Sequence, residues 1–171
     1  GVLFYDGGAS VTIPLPAALN IAVSKTWEER FTLEFNYERT YWSAYKTLDF
    51  NYDSPQPVFD DALPKNWKDT DTFRIGATIT MDKITMMMGV AMYETPVPLS
   101  TLGFELPDSD ARIFSMGFRY QQNEQLSWGA ALLYDSKESR TVMQGTSGNY
   151  INGSFHEGGA LLTTIGVSYE Y

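Results

Sequence analysis

The stretch TFRIGATITM (72–81), followed by Asp82-Lys83 and then ITMMMGVAMY (84–93), decides the fold. In its first half Phe73, Ile75, Ala77, Ile79 and Met81 alternate with Thr72, Arg74, Gly76, Thr78 and Thr80. In its second half Ile84, Met86, Met88, Val90 and Met92 alternate with Thr85, Met87, Gly89, Ala91 and Tyr93. Successive side chains of a β-strand point to opposite faces, so each half reads as a strand with one oily side and one small or polar side. Met81-Asp82-Lys83 leaves room only for a tight turn between them. The pair is a hairpin. A helix would repeat its apolar positions with a period near 3.6, and no segment of the chain sustains that.

Working outward, the same alternation returns. Phe114, Met116, Phe118 and Tyr120 oppose Ser115, Gly117, Arg119 and Gln121, and Leu126, Trp128, Ala130, Leu132 and Tyr134 oppose Ser127, Gly129, Ala131, Leu133 and Asp135. Leu161, Thr163, Ile165, Val167, Tyr169 and Tyr171 oppose Leu162, Thr164, Gly166, Ser168 and Glu170, and Leu19, Ile21 and Val23 alternate with Asn20, Ala22 and Ser24. Segment 29–52 changes phase: Phe31, Leu33, Phe35, Tyr37 and Tyr41 are odd, whereas Trp42, Ala44, Leu48, Phe50 and Tyr52 are even. A period of two shifts phase only through an inserted residue, which predicts a β-bulge or kink near Tyr41-Trp42. The predicted strands are 15–25, 29–51, 68–81, 83–95, 111–121, 125–140 and 158–171. Between them, short turns (26–29, 81–83, 122–125) alternate with long connections (53–66, 96–110, 142–157). That regularity is the signature of a bacterial outer-membrane barrel, with short periplasmic turns and longer outer loops. The fold expected is an all-β transmembrane antiparallel β-barrel. Bacterial single-chain barrels have even strand numbers, so seven strands are read as the C-terminal part of a larger barrel. The beginning, Gly1-Val2-Leu3-Phe4-Tyr5-Asp6, has no initiator Met and no signal-peptide pattern, which agrees.

Composition removes other classes. The chain of 171 residues carries 12 Lys+Arg against 21 Asp+Glu, and its net charge of −9 argues against a nucleic-acid partner. Without cysteine there is no disulfide scaffold, thiolate metal site or cysteine nucleophile. His156 is the single histidine and sits among Gly and Asn, with nothing to place it beside a nucleophile. No enzyme and no cofactor is read here. No window of about 18 apolar residues provides a membrane helix. Aromatic residues reach 15%, and Trp27, Trp42, Trp67, Trp128, Tyr120, Tyr134, Tyr169 and Tyr171 fall near strand ends, where aromatic girdles of a barrel would lie.

The segments 7–50 and 66–120 carry a family resemblance. Pro14-Leu15-Pro16 precedes a strand, Tyr41-Trp42-Ser43 follows on the long strand, then come Trp67-Lys68-Asp69, Glu94-Thr95-Pro96-Val97-Pro98 and Pro107-Asp108-Ser109-Asp110, with Arg112 after them. In this order and spacing they resemble the C-terminal half of the FadL-type outer membrane long-chain fatty acid transporters, a family that also includes aromatic-hydrocarbon uptake channels. The resemblance implies a barrel of about 14 strands, plugged by an N-terminal hatch, with ligands captured outside and released sideways through the wall. Hatch, first half of the barrel and lateral gap would all lie upstream, so residues 1–171 form part of one barrel domain. The sequence departs from the family in having Ala111 where an Arg more often follows Asp110, which leaves the role of Arg112 open. The ending Thr164-Ile165-Gly166-Val167-Ser168-Tyr169-Glu170-Tyr171 resembles the signal read by the bacterial barrel-assembly machinery.

Candidate binding residues follow. Family members hold a ligand carboxylate with basic side chains, one shortly before the Trp/Phe-Lys-Asp element. The resemblance thus points to Lys65 first and Lys68 second, and solvated rim lysines are the competing reading. A cation in a partly desolvated pocket pairs with a carboxylate more strongly than in water. Inward-facing Met87, Tyr93, Leu133 and Ala131 are expected to line an apolar pocket, unless they pack against the hatch. Inward Arg74 and Arg119 are expected to pair with acidic hatch or wall groups such as Asp135 or Glu170. Asp60-Asp61 and Asp108-x-Asp110 lack the ordered spacing of a calcium loop and read as solvated loop or turn caps. The function read from all this is passive uptake of hydrophobic molecules, long-chain fatty acids first, by a monomeric outer-membrane channel in contact with lipid. Aromatic hydrocarbon uptake, or a structural or adhesive surface barrel, are the alternatives.

Overall fold

The computed structural model describes residues 6–54, 61–104, 106–143 and 151–171; residues 1–5 and Asp60 lie outside this set. Seven strands form one sheet: β1 (Ala18–Trp27), β2 (Phe31–Thr40), β3 (Thr70–Met81), β4 (Ile84–Tyr93), β5 (Ala111–Gln121), β6 (Leu126–Lys137) and β7 (Gly159–Tyr169). Each is antiparallel to the next, and the order in the sheet is the order in the chain. This is the wall predicted from the alternation, strand for strand, with shifted ends: the first strand runs on to Trp27 and the second stops at Thr40.

Register aligns the oily stripes. Phe35 pairs with Ile75, Ile75 with Val90, Val90 with Phe114, and Phe114 with Tyr134. One row lower, Ala77, Met88, Met116, Leu132 and Thr163 run side by side. A slip of one residue would interleave Thr and Gly into this belt, so its continuity fixes the register. The belt is exposed: Ile75 is 49% accessible, Met88 55% and Met116 60%. Patches of this extent on a soluble monomer would be an aggregation hazard; facing lipid tails they are the stable choice.

Three short turns close one end. Between β1 and β2, Glu28 and Glu29 both take the left-handed conformation (φ 49° and 57°), at a cost of about 1–2 kcal/mol each. The Arg30 N–H donates to the Trp27 carbonyl at 3.0 Å, and Trp27 stacks on Phe31 at 5.5 Å. Between β5 and β6, the Asn123 side-chain oxygen accepts from the Gln125 and Leu126 N–H groups (3.0 and 2.8 Å), which is how an Asn tightens a turn. Gly129 is needed where β5 and β6 approach closely, since a Cβ there would run into the Phe118 carbonyl oxygen.

The long connections gather at the opposite end and fold on one another. Small antiparallel ribbons join Ala9–Val11 to Phe50–Tyr52, Thr47–Leu48 to Leu63–Pro64, and Arg140–Val142 to Gly153–Phe155. The fully buried hydrophobic cluster lies here, not in the wall: Val97, Leu102, Val142 and Ile151, with Trp67 and Phe155 packed against it. The phase change at Tyr41-Trp42 is not the bulge or kink expected within one strand: the strand ends there and does not resume. Tyr41 leaves the sheet, Trp42–Ala44 form a 3-10 turn, and the even-phase residues Leu48, Phe50 and Tyr52 belong to the ribbons. Trp42 and Trp67, expected in a girdle, instead meet edge to face at 4.9 Å in this loop layer, as do Trp67 and Tyr45.

Candidate functional site

The face opposite the oily belt curls around a hollow. Residues of all seven strands border it, from Asn20 on β1 to Leu162 and Thr164 on β7. Its middle is small-sided: Gly76, Gly89 and Ser115 sit side by side, and one step toward the short turns come Met87, Gly117 and Ala131. Leu133 lies opposite Ser115. The sheet thus brings Met87, Ala131 and Leu133 into one apolar patch.

Tyr93 does not join them. It ends β4 at the long-loop side, six residues from Met87, which is about 20 Å along a strand. Its hydroxyl donates to Asp108 Oδ2 at 3.1 Å. Asp108 also accepts from Thr95 Oγ1 (2.7 Å) and from Lys137 Nζ (2.6 Å), and the Lys137 ammonium lies 5.8 Å from the Tyr93 ring centre. Arg140 clamps the same loop by donating to the carbonyls of Asp108 (2.7 Å) and Val97 (2.8 Å). Burial alone would raise the Asp108 carboxyl. Hydrogen bonds from Lys137 and Thr95 and the Lys137 charge outweigh it, and its pKa falls below the ordinary carboxylate value.

The two lysines part company. Lys65 is buried, 6% exposed, in the loop layer; its N–H donates to the Lys46 carbonyl at 2.8 Å, and its own carbonyl accepts from Thr101 Oγ1. Lys68 is exposed, and its backbone N–H is tied to the Pro96 carbonyl at 2.9 Å. The motifs that carried the resemblance meet in space. Ser43 N donates to Asp69 Oδ1 at 3.0 Å, and Thr95 N to Asp110 Oδ1 at 2.8 Å. Asp69, held by Ser43, has a lowered pKa and also pairs with Arg39 at 3.7 Å. These residues staple the outer loops.

Of the inward cations, Arg74 pairs with Glu38 at 3.2 Å and donates to Asn36 at 2.8 Å, while Asn36 donates to Asn20 and Asn20 to Glu38. Its partner is therefore a wall carboxylate on β2, four strands across the sheet from Asp135 on β6. Asp135 keeps a buried oxygen, Oδ1, without a hydrogen-bond partner among the described residues. The polar network on β1–β3 was not singled out in the sequence, although Asn20, Asn36, Glu38 and Arg74 share the inward phase there.

Comparison with known proteins gives the lineage of this arrangement. The profile of a family described as "Outer membrane protein transport protein (OMPP1/FadL/TodX)" matches residues 4–171. A long-chain fatty acid transport protein of Escherichia coli O6:H1 is 27% identical over 150 residues, covering 86% of this chain and 33% of that protein. Outer membrane protein P1 of Haemophilus influenzae is 22% identical over 153 residues, covering 82% of this chain and 33% of the relative. Among solved structures, a Pseudomonas aeruginosa FadL homologue superposes with a TM-score of 0.73 at 23% identity, over 93% of this chain and 35% of that one. The Pseudomonas putida toluene transporter TodX gives 0.61 at 19% identity, over 95% and 36%. The chain spans about a third of the length of the curated relatives it matches.

Proposed function

Since the chain belongs to the OMPP1/FadL/TodX family of outer membrane transport proteins, we propose that it forms part of the wall of a channel for passive uptake of hydrophobic molecules, long-chain fatty acids foremost. The observation that supports this most is the two-faced sheet. A belt from Phe35 to Tyr134 meets lipid, and behind it a small-sided wall carrying Met87, Ala131 and Leu133 offers apolar surface to something that passes. Pockets for apolar ligands have this character, with few polar groups, and Met adapts its shape to what it touches. Lys65 and Lys68 are the carboxylate-binding residues on this reading, at the outer end of the passage. Tyr93 shapes the mouth beside them through Asp108. The last strand, ending Tyr169-Glu170-Tyr171, is the part the barrel-assembly machinery would recognise.

The test is uptake of a labelled long-chain fatty acid by cells that lack their own fatty acid channel and express the whole gene product. Restored uptake is expected; none, with the protein present in the outer membrane, overturns the reading. The family description spans both FadL and TodX, and that breadth keeps one second reading, uptake of aromatic hydrocarbons.

A further inference from the structure

The side chains that border the hollow are not alike on its two flanks. In one row across the sheet Asn36 and Arg74 give way to Ala91 and Ile113. One step nearer the short turns Glu34 on β2 gives way to Leu133 on β6 and Leu162 on β7. In the next row Thr32 and Thr78 give way to Met87 and Ala131. Ser115 and Thr164 are the small polar exceptions among the apolar strands. The hollow is thus divided lengthwise, with a polar wall on β1–β3 and an apolar one on β4–β7. The polar wall is a built surface: the contacts that join Asn20, Asn36, Glu38 and Arg74 hold their polar atoms in fixed places. Its carboxylates, Glu34 and Glu38, outnumber its one guanidinium, Arg74.

From this division we propose that the passage selects long-chain acids that carry a hydroxyl part-way along the chain, with the hydrocarbon against β4–β7 and the hydroxyl on the polar wall of β1–β3. This rests on the fatty acid reading given above and narrows its substrate class. Thr78 and Met87 are paired on adjacent strands, about 5 Å apart, so one chain lying along the boundary touches both halves. An unsubstituted chain laid there strips water from the amides and hydroxyls of the polar wall and returns no hydrogen bond. A hydroxyl does return one. It donates and accepts at once, as do an Asn amide and a Thr hydroxyl, so it docks in either sense. A second carboxylate on the chain is disfavoured, because it meets the like charges of Glu34 and Glu38. An aromatic hydrocarbon gains from the apolar half alone.

The experiment compares Asn36→Leu and Thr78→Val with the unaltered whole gene product in cells lacking their own fatty acid channel. Two labelled probes are used, a saturated long-chain fatty acid and the same acid with one mid-chain hydroxyl, at matched outer-membrane levels of each variant. The quantity read is the ratio of hydroxy acid to plain acid uptake. Each variant is expected to lower that ratio about fivefold, the loss of one neutral hydrogen bond. Thr78→Val exchanges a hydroxyl for a methyl of the same size and leaves the Arg74 contacts in place, so it carries the test if Asn36→Leu does not reach the membrane. An unchanged ratio in the variants overturns the proposal. So does an equal fall for both probes, which would mean that another part of the protein, and not the ligand, covers the polar wall. If the unaltered protein takes up neither acid, the fatty acid reading itself has failed and this proposal with it, and that control shows it before any variant is made.

Discussion

Asp108 shows how much one side chain can hold. Three donors from three places, Tyr93 at the end of β4, Thr95 just after it and Lys137 at the end of β6, converge on its two oxygens. Replacing it by Asn removes the charge but not the shape. Asp108→Asn is expected to cost about 1–3 kcal/mol, because Lys137 is left half-buried without its carboxylate, and to open the 96–110 loop to proteolysis while the wall stays intact. Limited digestion with mapping of the cut sites checks this. The pH dependence has a definite sign. A carboxylate whose pKa is lowered on folding contributes stability above its unfolded value, near about 4, and loses it as pH falls through the folded value. Loop protection should therefore persist through neutral and mildly acidic pH and vanish only in stronger acid. In the structure the Asp108 carboxylate is drawn in among the side chains of Tyr93, Thr95 and Lys137, whereas the sequence reads it as part of a solvated loop or a turn cap. It marked Tyr93 as pocket lining, and its phase was read correctly; what the alternation could not convey is that this hydroxyl sits at the rim beside a carboxylate from another loop.

For a single strand the decisive fact is that adjacent residues live in different solvents. Met87 and Met88 are neighbours in β4, yet Met88 joins the lipid-facing row with Ala77 and Met116 while Met87 faces the hollow beside Gly117. A charge on the lipid side near the middle of the membrane costs about 2–4 kcal/mol, and the inner side tolerates it. Met88→Arg is expected to lose about that much in urea titrations of folding into phosphatidylcholine vesicles, and Met87→Arg to lose little. Equal losses would mean the two faces are assigned wrongly. Strand ends are where the sequence reading slipped. Segment 29–51 was expected to run as one kinked strand, but β2 stops at Thr40 because Tyr41 is drawn into a 3-10 turn whose Trp42 packs on Trp67. Tertiary contact outweighed an alternation that continued on paper.

Considered as a whole, the long-loop end of the wall carries Lys65 and Lys68, the two cations on which the fatty acid reading depends. On the proposed reading this pair is what distinguishes the two ligand classes. Lys65→Gln and Lys68→Gln, singly and together, are expected to reduce fatty acid uptake, about tenfold for the residue that meets the carboxylate, and to leave toluene uptake as it was. A parallel fall for both ligands would assign the lysines to loop structure, a result to weigh especially for Lys65, which is buried among backbone hydrogen bonds.

The sequence by itself determined the strands, their faces and their order, because a period of two is a local property and hairpin connections leave each strand no nearer partner than the next. It also determined the family, through short motifs around Trp42, Trp67, Thr95 and Asp108 kept in order. Only the tertiary structure decided what those motifs do. They come from loops far apart in the chain, and their meeting, Ser43 on Asp69 and Thr95 on Asp108 and Asp110, depends on which strands bring the loops together. It likewise decided which inward charges are matched. Alternation assigns Arg74 and Arg119 to the same face, but whether a carboxylate stands within reach is set by register and by the curl of the sheet, which gives Arg74 its Glu38 and gives Arg119 no ion pair among the described residues.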